Sequence, residues 1–182
     1  MKKNNVTTVV AVGIGAALFF VVGRFVAIPS PVPNTNISLQ YAVLALLALL
    51  YGPVAGGLVG FIGHTLIDLS WGGSPWWSWI IASAFVGVVM GLLSKSIKLS
   101  EGQFGKKEMI TFVIANVVAH LIAWAGIAPV LDIVIYSEPI EKLFSQGAMA
   151  AVANILTSVI VGGLLAAAYA KTIAKKGSLD KE

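Results

Sequence analysis

Apolar residues in this chain come in long blocks rather than in alternation. Six blocks can be drawn, over roughly Val6–Ile28, Ile37–Tyr51, Pro53–Leu69, Trp76–Ser94, Met109–Leu131 and Gln146–Ala170. A helix rises 1.5 Å per residue, so about 20 residues cross a bilayer core. The first, fourth, fifth and sixth blocks reach that length. The second and third are shorter, and only Tyr51-Gly52-Pro53 separates them, which predicts a tight turn and a helical hairpin. A single broken helix over both blocks is the alternative. Strands are not expected, because the runs are too long and do not alternate. The first block, preceded by Lys2 and Lys3, has the outline of a signal peptide. Its apolar run exceeds the usual h-region of about 7–15 residues and no convincing small-x-small cleavage site follows, so it is expected to stay as a helix.

Composition decides the solvent. Of 182 residues, 58% are hydrophobic and 11% charged, against about 25% charged in soluble domains. The mean hydropathy is +0.91. So few charges cannot wet a folded surface, and lipid must be the solvent for most of it. The expectation is an all-α integral membrane protein of the cell membrane, a single multi-pass domain over residues 1–182. Cysteine is absent, which excludes disulfides, zinc–thiolate sites and a thiol nucleophile.

Charge gives orientation. Ten of the twelve basic residues fall on one side of a six-helix chain: Lys2, Lys3, Lys95, Lys98, Lys106, Lys107, Lys171, Lys175, Lys176 and Lys181. Arg24 and Lys142 fall near the other side, with Asp68, Asp132, Glu138 and Glu141. The positive-inside rule then predicts six transmembrane helices with both termini cytoplasmic. It also explains the pI near 9.4 without a nucleic-acid partner.

That topology places the most unusual stretch of the chain outside. His64-Thr-Leu-Ile-Asp68-Leu-Ser-Trp71-Gly-Gly-Ser-Pro75-Trp76-Trp77-Ser-Trp79 holds four of the five tryptophans. His64 and Asp68, four apart, share a helix face, and an ionisable residue in a membrane is a candidate functional group. Asp68 has the alternative of pairing with Arg24. A histidine can ligate a metal, but a lone one defines no metal site, and none is expected. Trp71, Trp76, Trp77 and Trp79 suit the headgroup level; their flat faces equally suit a ring-bearing ligand.

Other segments offer partners. Pro29, Pro31 and Pro33 impose a stiff, extended path on the first outer loop, where Asn34 and Asn36 bring donors and acceptors. The loop either caps a pocket or is a plain linker. Asn116, His120 and Trp124 recur every four residues along the fifth block, and Asn154 lies in the outer half of the sixth. Each has a reading as interhelical glue; with His64 and Tyr41 they point to a cavity open to the outside, with Gln40 at its rim. On the first helix, Ala11 and Gly15, and Gly13 and Ala17, form small-residue pairs four apart, suited to docking a separate membrane protein or to internal packing. Gly56, Gly60, Gly63, Gly87 and Gly91 read as internal packing.

Signatures of chemistry are missing. Gly87-Val-Val-Met-Gly91-Leu-Leu-Ser-Lys95 does not match a P-loop, no H-E-x-x-H occurs, and no serine sits in a hydrolase elbow. No catalytic residues and no cofactor are expected. A six-helix chain with an outward pocket and no energy source binds a solute and relies on a partner to move it. A membrane enzyme using His64, Asp68 and His120, or an assembly subunit without solute, are the rivals.

Several motifs carry a resemblance over nearly the whole chain: Val12-Gly-Ile-Gly-Ala-Ala-Leu18, Gly23-Arg-Phe25, Pro31-Val-Pro-Asn-Thr35, Leu39-Gln-Tyr-Ala42, Gly60-Phe-Ile-Gly-His64 and Gly73-Ser-Pro-Trp-Trp-Ser-Trp79. They resemble the S-components, the substrate-binding subunits of energy-coupling factor (ECF) transporters of the ABC class, and within them a riboflavin-type subfamily linked to cobalamin uptake (CbrT-like). The resemblance implies the S-component fold, a vitamin pocket at the outer helix ends and under the first loop, and docking through the first-helix strip onto a scaffold membrane subunit driven by two ATPase subunits. In S-components generally this strip reads Ala-x-x-x-Ala; here a glycine, Gly13 or Gly15, replaces one alanine. Cobalamin is the first expected substrate, its ring faces matched by indoles and its amides by asparagines. Riboflavin or a thiamine-related pyrimidine on the same fold is the alternative.

Overall fold

The computed structural model describes residues 5–179, with side-chain surroundings for 6–174. Lys2, Lys3 and Lys181 of the charge map lie outside the described residues, as do the side chains of Lys175 and Lys176. Helix α1 (Asn5–Phe25) leads into a short antiparallel ribbon, in which β1 (Ile28–Pro29) pairs with β2 (Asn36–Ile37). Helices α2 (Gln40–Tyr51), α3 (Pro53–Ser70) and α4 (Trp77–Leu92) follow. Two single 3-10 turns cross to α5 (Lys106–Ile122), which passes through a π turn (Ala123–Ile127) into α6 (Ala128–Tyr136). Helix α7 (Ile140–Thr157) likewise passes through a π turn (Ser158–Gly162) into α8 (Gly163–Leu179). In lipid every backbone N–H must be satisfied within its own segment, which is why the long apolar blocks become helices.

The boundaries follow local chemistry. Gly52, at φ 90, ends α2 and donates its N–H to Ala48 O, and Pro53 then opens α3 at its first position. The hairpin reading of the second and third blocks therefore holds. Pro129 has no N–H to give the preceding turn, and the helix widens into its π turn immediately before it. This keeps Lys106–Tyr136 one continuous rod of 31 residues, and Ile140–Ala174 one of 35. Both run past the expected ends at Leu131 and Gln146, so the connection between α6 and α7 shrinks to Ser137, Glu138 and Pro139.

Among the described residues, five helices are long and apolar enough to cross a membrane; α2, at 12 residues, is not. It spans about 18 Å and forms the centre of the bundle, with Ala42, Leu44, Ala45, Ala48 and Leu49 buried. Around it the outward faces are apolar: Val10, Ile14 and Leu18 on α1, Ile114, Val118 and Leu121 on α5, and Val152, Leu156 and Ile160 along α7 and the turn after it are all exposed. Spacings of three and four residues make these continuous stripes, the pattern of lipid-facing helices.

Helices α3 and α4 cross with their backbones in contact. A Cβ on Gly56 would stand 2.3 Å from Gly87 O, and one on Gly60 2.5 Å from Ser83 O. The glycines of these two helices serve internal packing, as the spacing implied. The first helix divides its small residues. Gly15 faces inward, where a Cβ would meet Val59 Cγ2 at 2.7 Å, and Ala11 is largely buried. Gly13 and Ala17 are exposed.

Candidate functional site

At the end of the bundle formed by the β ribbon, the α3–α4 connection and the α6–α7 connection, two cavities of about 390 and 490 Å3 lie side by side. Asn34, His64, Asp68, Trp71 and Trp79 line both and form the wall between them.

The first cavity is built on one carboxylate. Trp76 caps the start of α4 directly after Pro75 and Trp77, Ser78 and Trp79 form its first turn, so the Trp76 and Trp79 indoles and the Ser78 hydroxyl emerge close together. Asp132, on α6 and 1% exposed, collects them. Its Oδ1 accepts from Trp76 Nε1 at 2.6 Å and from Ser78 Oγ, and its Oδ2 accepts from Trp79 Nε1 at 2.8 Å. Across the cavity, Asp68 Oδ2 accepts from the Trp76 backbone N–H at 2.8 Å, tying the end of α3 to the start of α4. The two acids thus hold the tryptophan turn from both sides. Glu138, Lys142, Leu143 and Gln146 complete the wall.

A polar relay runs inward from Asp68. His64 Nε2 lies 3.7 Å from Asp68 Oδ1, its Nδ1 is 2.5 Å from Ser83 Oγ, and Ser83 Oγ is 2.6 Å from Tyr41 OH. The i, i+4 spacing of His64 and Asp68 brings them together as the sequence implied. Arg24 does not pair with Asp68; its guanidinium stands 3.7 Å from the Trp71 ring centroid. The second cavity is lined by Asn36, Ser38, Gln40, Tyr41, Trp124 and Asn154, so its walls carry neutral donors and acceptors.

The loop between α1 and α2 closes over both. Ser30 and Thr35 bond across the turn, Asn34 takes a positive φ of 59, and Gln146 on α7 donates to Pro33 O at 2.8 Å. Pro33 therefore contributes its carbonyl rather than a ring contact. This latch is a single hydrogen bond, worth about 1 kcal/mol. Gln146→Ala will accordingly speed release of a bound solute about fivefold, measured by stopped-flow indole fluorescence.

Of the site residues expected from the sequence, Asn34, Asn36, Tyr41, His64, Asp68, Trp71, Trp76, Trp124 and Asn154 line the cavities. Two do not. Trp77 points away, 44% exposed and stacked on Phe61 at 6.1 Å; the position after Trp76 on a helix faces elsewhere, and Trp79 takes its place. His120 is fully buried behind the cavity, its Nδ1 accepting from Trp124 Nε1 at 2.9 Å. Asn116, one turn below, is also buried, and neither its amide nor His120 Nε2 meets a protein partner among the described residues. Asp132 and Gln146 were missed as site residues. Among the described residues no group of three histidines or acids is placed to hold a metal.

An aromatic, acid-bearing cavity at one end of a lipid-facing helical bundle defines a multi-pass membrane protein built to hold a small solute. Comparison with known proteins narrows the class. The family model described as "ECF-type riboflavin transporter, S component" matches residues 3–171, and the chain belongs to that family. The UPF0397 protein of Enterococcus faecalis is 49% identical over all of this chain and 99% of its own length. That of Lactococcus lactis subsp. cremoris is 50% identical over the whole of both chains. Among solved structures, ThiT from Listeria monocytogenes superposes with a TM-score of 0.69 at 20% identity, covering 95% of this chain and 98% of that one. S components partner with the ECF scaffold and its ATPase subunits, and the chain is accordingly a transport protein of the membrane.

Proposed function

We propose that this chain captures a compact, ring-bearing, water-soluble vitamin from outside the cell and delivers it to an ECF scaffold for ATP-driven uptake. The observation that carries the reading is the pair of adjoining cavities walled by indoles and amides under the first outer loop. At about 390 and 490 Å3 they lie in the range of roughly 300–1,000 Å3 typical of small-molecule pockets. That size favours riboflavin or a thiamine-related pyrimidine over cobalamin. A corrinoid is several times bulkier than either. It would fill both cavities and displace the Gln146–Pro33 latch.

In this reading all six apolar helices, including the short α2, make up the membrane domain, with both termini cytoplasmic. Lys95, Lys98, Lys106 and Lys107 mark the inner side. Docking uses the part of α1 that the bundle leaves open. Gly13 and Ala17 are exposed, and Ala11 borders a groove of about 300 Å3 with Val6, Val10, Ile14 and Leu47. Gly15 supports the surface from beneath.

Equilibrium titration of the purified protein with riboflavin, thiamine, its pyrimidine precursor and cobalamin tests the reading. Four indoles, Trp71, Trp76, Trp79 and Trp124, line the cavities, so binding will quench intrinsic fluorescence. Tight binding of cobalamin alone would reverse the order of substrates, and silence towards every ring-bearing vitamin would sink the proposal.

A further inference from the structure

Resting on that reading, we propose that the solute is a cation: a positively charged heteroaromatic ring seated in the tryptophan cavity, with a neutral hydrogen-bonding arm reaching Asn154 in the second cavity.

The charged walls of the first cavity are Asp68, Asp132, Glu138 and Lys142. Lys142 Nζ is already committed to Glu138 Oε2 at 2.7 Å. Two carboxylates remain, and among the described residues neither has a lysine or arginine within ion-pair distance. The histidine beside Asp68 is charged only when protonated. Arg24, the remaining nearby cation, is stacked on Trp71 and does not line either cavity. Asp132 is the telling case. It is almost fully buried, and its three partners are all neutral donors. A buried carboxylate carries a desolvation penalty that neutral donors offset only in part. A neutral acceptor could position Trp76 and Trp79 without that penalty; the carboxylate additionally presents a negative charge to whatever enters.

The aromatic walls agree with the charge. Trp76 is backed by Tyr136 at 4.2 Å and Trp79 by Trp124 at 5.2 Å, so both rings are braced where they border the cavity. Indole faces attract cations, and more strongly in a desolvated site. A flat cationic ring would satisfy the carboxylates and the indoles together, whereas an anion would meet two like charges and a neutral ring would leave both acids without a counter-charge.

The second cavity supplies an independent pointer. Asn154 is 6% exposed and lines it, yet no side-chain hydrogen bond is made by its amide among the described residues. A buried amide with donor and acceptor both free is complementary to a hydroxyl, amide or amino-azine group on a ligand. No charged residue other than the shared Asp68 and the adjoining His64 borders this cavity, so the arm it receives is neutral.

The test uses two probes that differ by one ring N-methyl group and the quaternary charge it creates, 1-methylnicotinamide and nicotinamide, titrated into the full-length protein in detergent and followed by indole fluorescence. The cation is expected to bind about tenfold more tightly or better. Asp132→Asn and Asp68→Asn will each remove most of that preference. Lys142→Gln, on a side chain 42% exposed, will raise the affinity for the cation about threefold by leaving Glu138 unpaired. Equal affinity for the two probes, or tight riboflavin binding unchanged in Asp132→Asn and Lys142→Gln, overturns the cationic assignment and leaves vitamin capture standing. Absence of any response to charged and neutral solutes alike, vitamins included, overturns both.

Discussion

Asp132→Ala will release Trp76, Ser78 and Trp79 at once and lower the stability of the protein by about 3 kcal/mol. The carboxylate accepts from two indole N–H groups and one hydroxyl, and is 1% exposed. Alanine leaves these donors without an acceptor, and each buried orphan costs about 1–3 kcal/mol before relaxation. The start of α4 is then held to the rest of this end of the bundle by Asp68 at the Trp76 N–H and by Tyr136 OH at the Trp77 N–H. For a chain of this length a loss of that size lowers the melting midpoint by about 10 °C. Solute affinity will fall at least about tenfold, because the wall loses its shape as well as a charge. Thermal unfolding in detergent and fluorescence titration check the two effects. Trp77→Phe is the control: its ring lies outside both cavities, and it should change neither. A midpoint for Asp132→Ala within a degree or two of the parent would show that the three donors find other partners and that Asp132 does not organise the site.

Why Asp132 escaped the sequence reading is instructive. In the linear pattern it stands just past an apolar block, where an acid reads as the start of a solvated loop. The block continues as helix through Asp132 to Tyr136, because the π turn at Ala123–Ile127 absorbs Pro129 and because the Asp132 oxygens are hydrogen-bonded sideways by protein donors rather than by water. Those donors lie 53 to 56 residues earlier. The sequence did show such donors, three indole N–H groups and a hydroxyl within Trp76-Trp77-Ser78-Trp79, but not which of them one acceptor would collect. The helical blocks themselves were legible because lipid tolerates only long, internally bonded segments. The His64–Asp68 pair was legible because one helix face carries both. The stripe Asn116, His120, Trp124 was read correctly as a face and wrongly as a cavity wall. Spacing places three side chains in line; depth decides which is exposed, and here only Trp124 reaches the cavity while its N–H closes on His120. The short α2 shows the opposite limit: its apolar run predicts a membrane helix, and nothing local says that it would sit in the centre of the bundle.

Gly87→Ala is expected to be at least as damaging as the loss of Asp132, through geometry rather than hydrogen bonding. A Cβ at Gly87 would lie 2.1 Å from Gly56 O, and one at Gly91 2.4 Å from Pro53 Cα. Both obstacles are backbone, so no side-chain rotation relieves them, and α3 and α4 must move apart by more than 1 Å to reach ordinary contact near 3.4 Å. Overpacking typically costs about 1–3 kcal/mol, and a backbone clash at the closest crossing in the bundle belongs at or above the upper end. The consequence extends to the site. Ser83, one turn before Gly87 on α4, bridges His64 on α3 and Tyr41 on α2 through contacts of 2.5 and 2.6 Å. A shift of 1 Å breaks hydrogen bonds of that length, so Gly87→Ala will lose solute binding even where folded protein can be recovered. Gly13→Ala provides the matched comparison. Nothing lies within 4 Å of a Cβ there, and the substitution should stabilise α1 by about 0.5–1 kcal/mol through helix propensity alone. Equal melting points for the two alanine variants would mean that α3 and α4 do not cross at these glycines, and the placement of His64 against Ser83 would fall with that crossing.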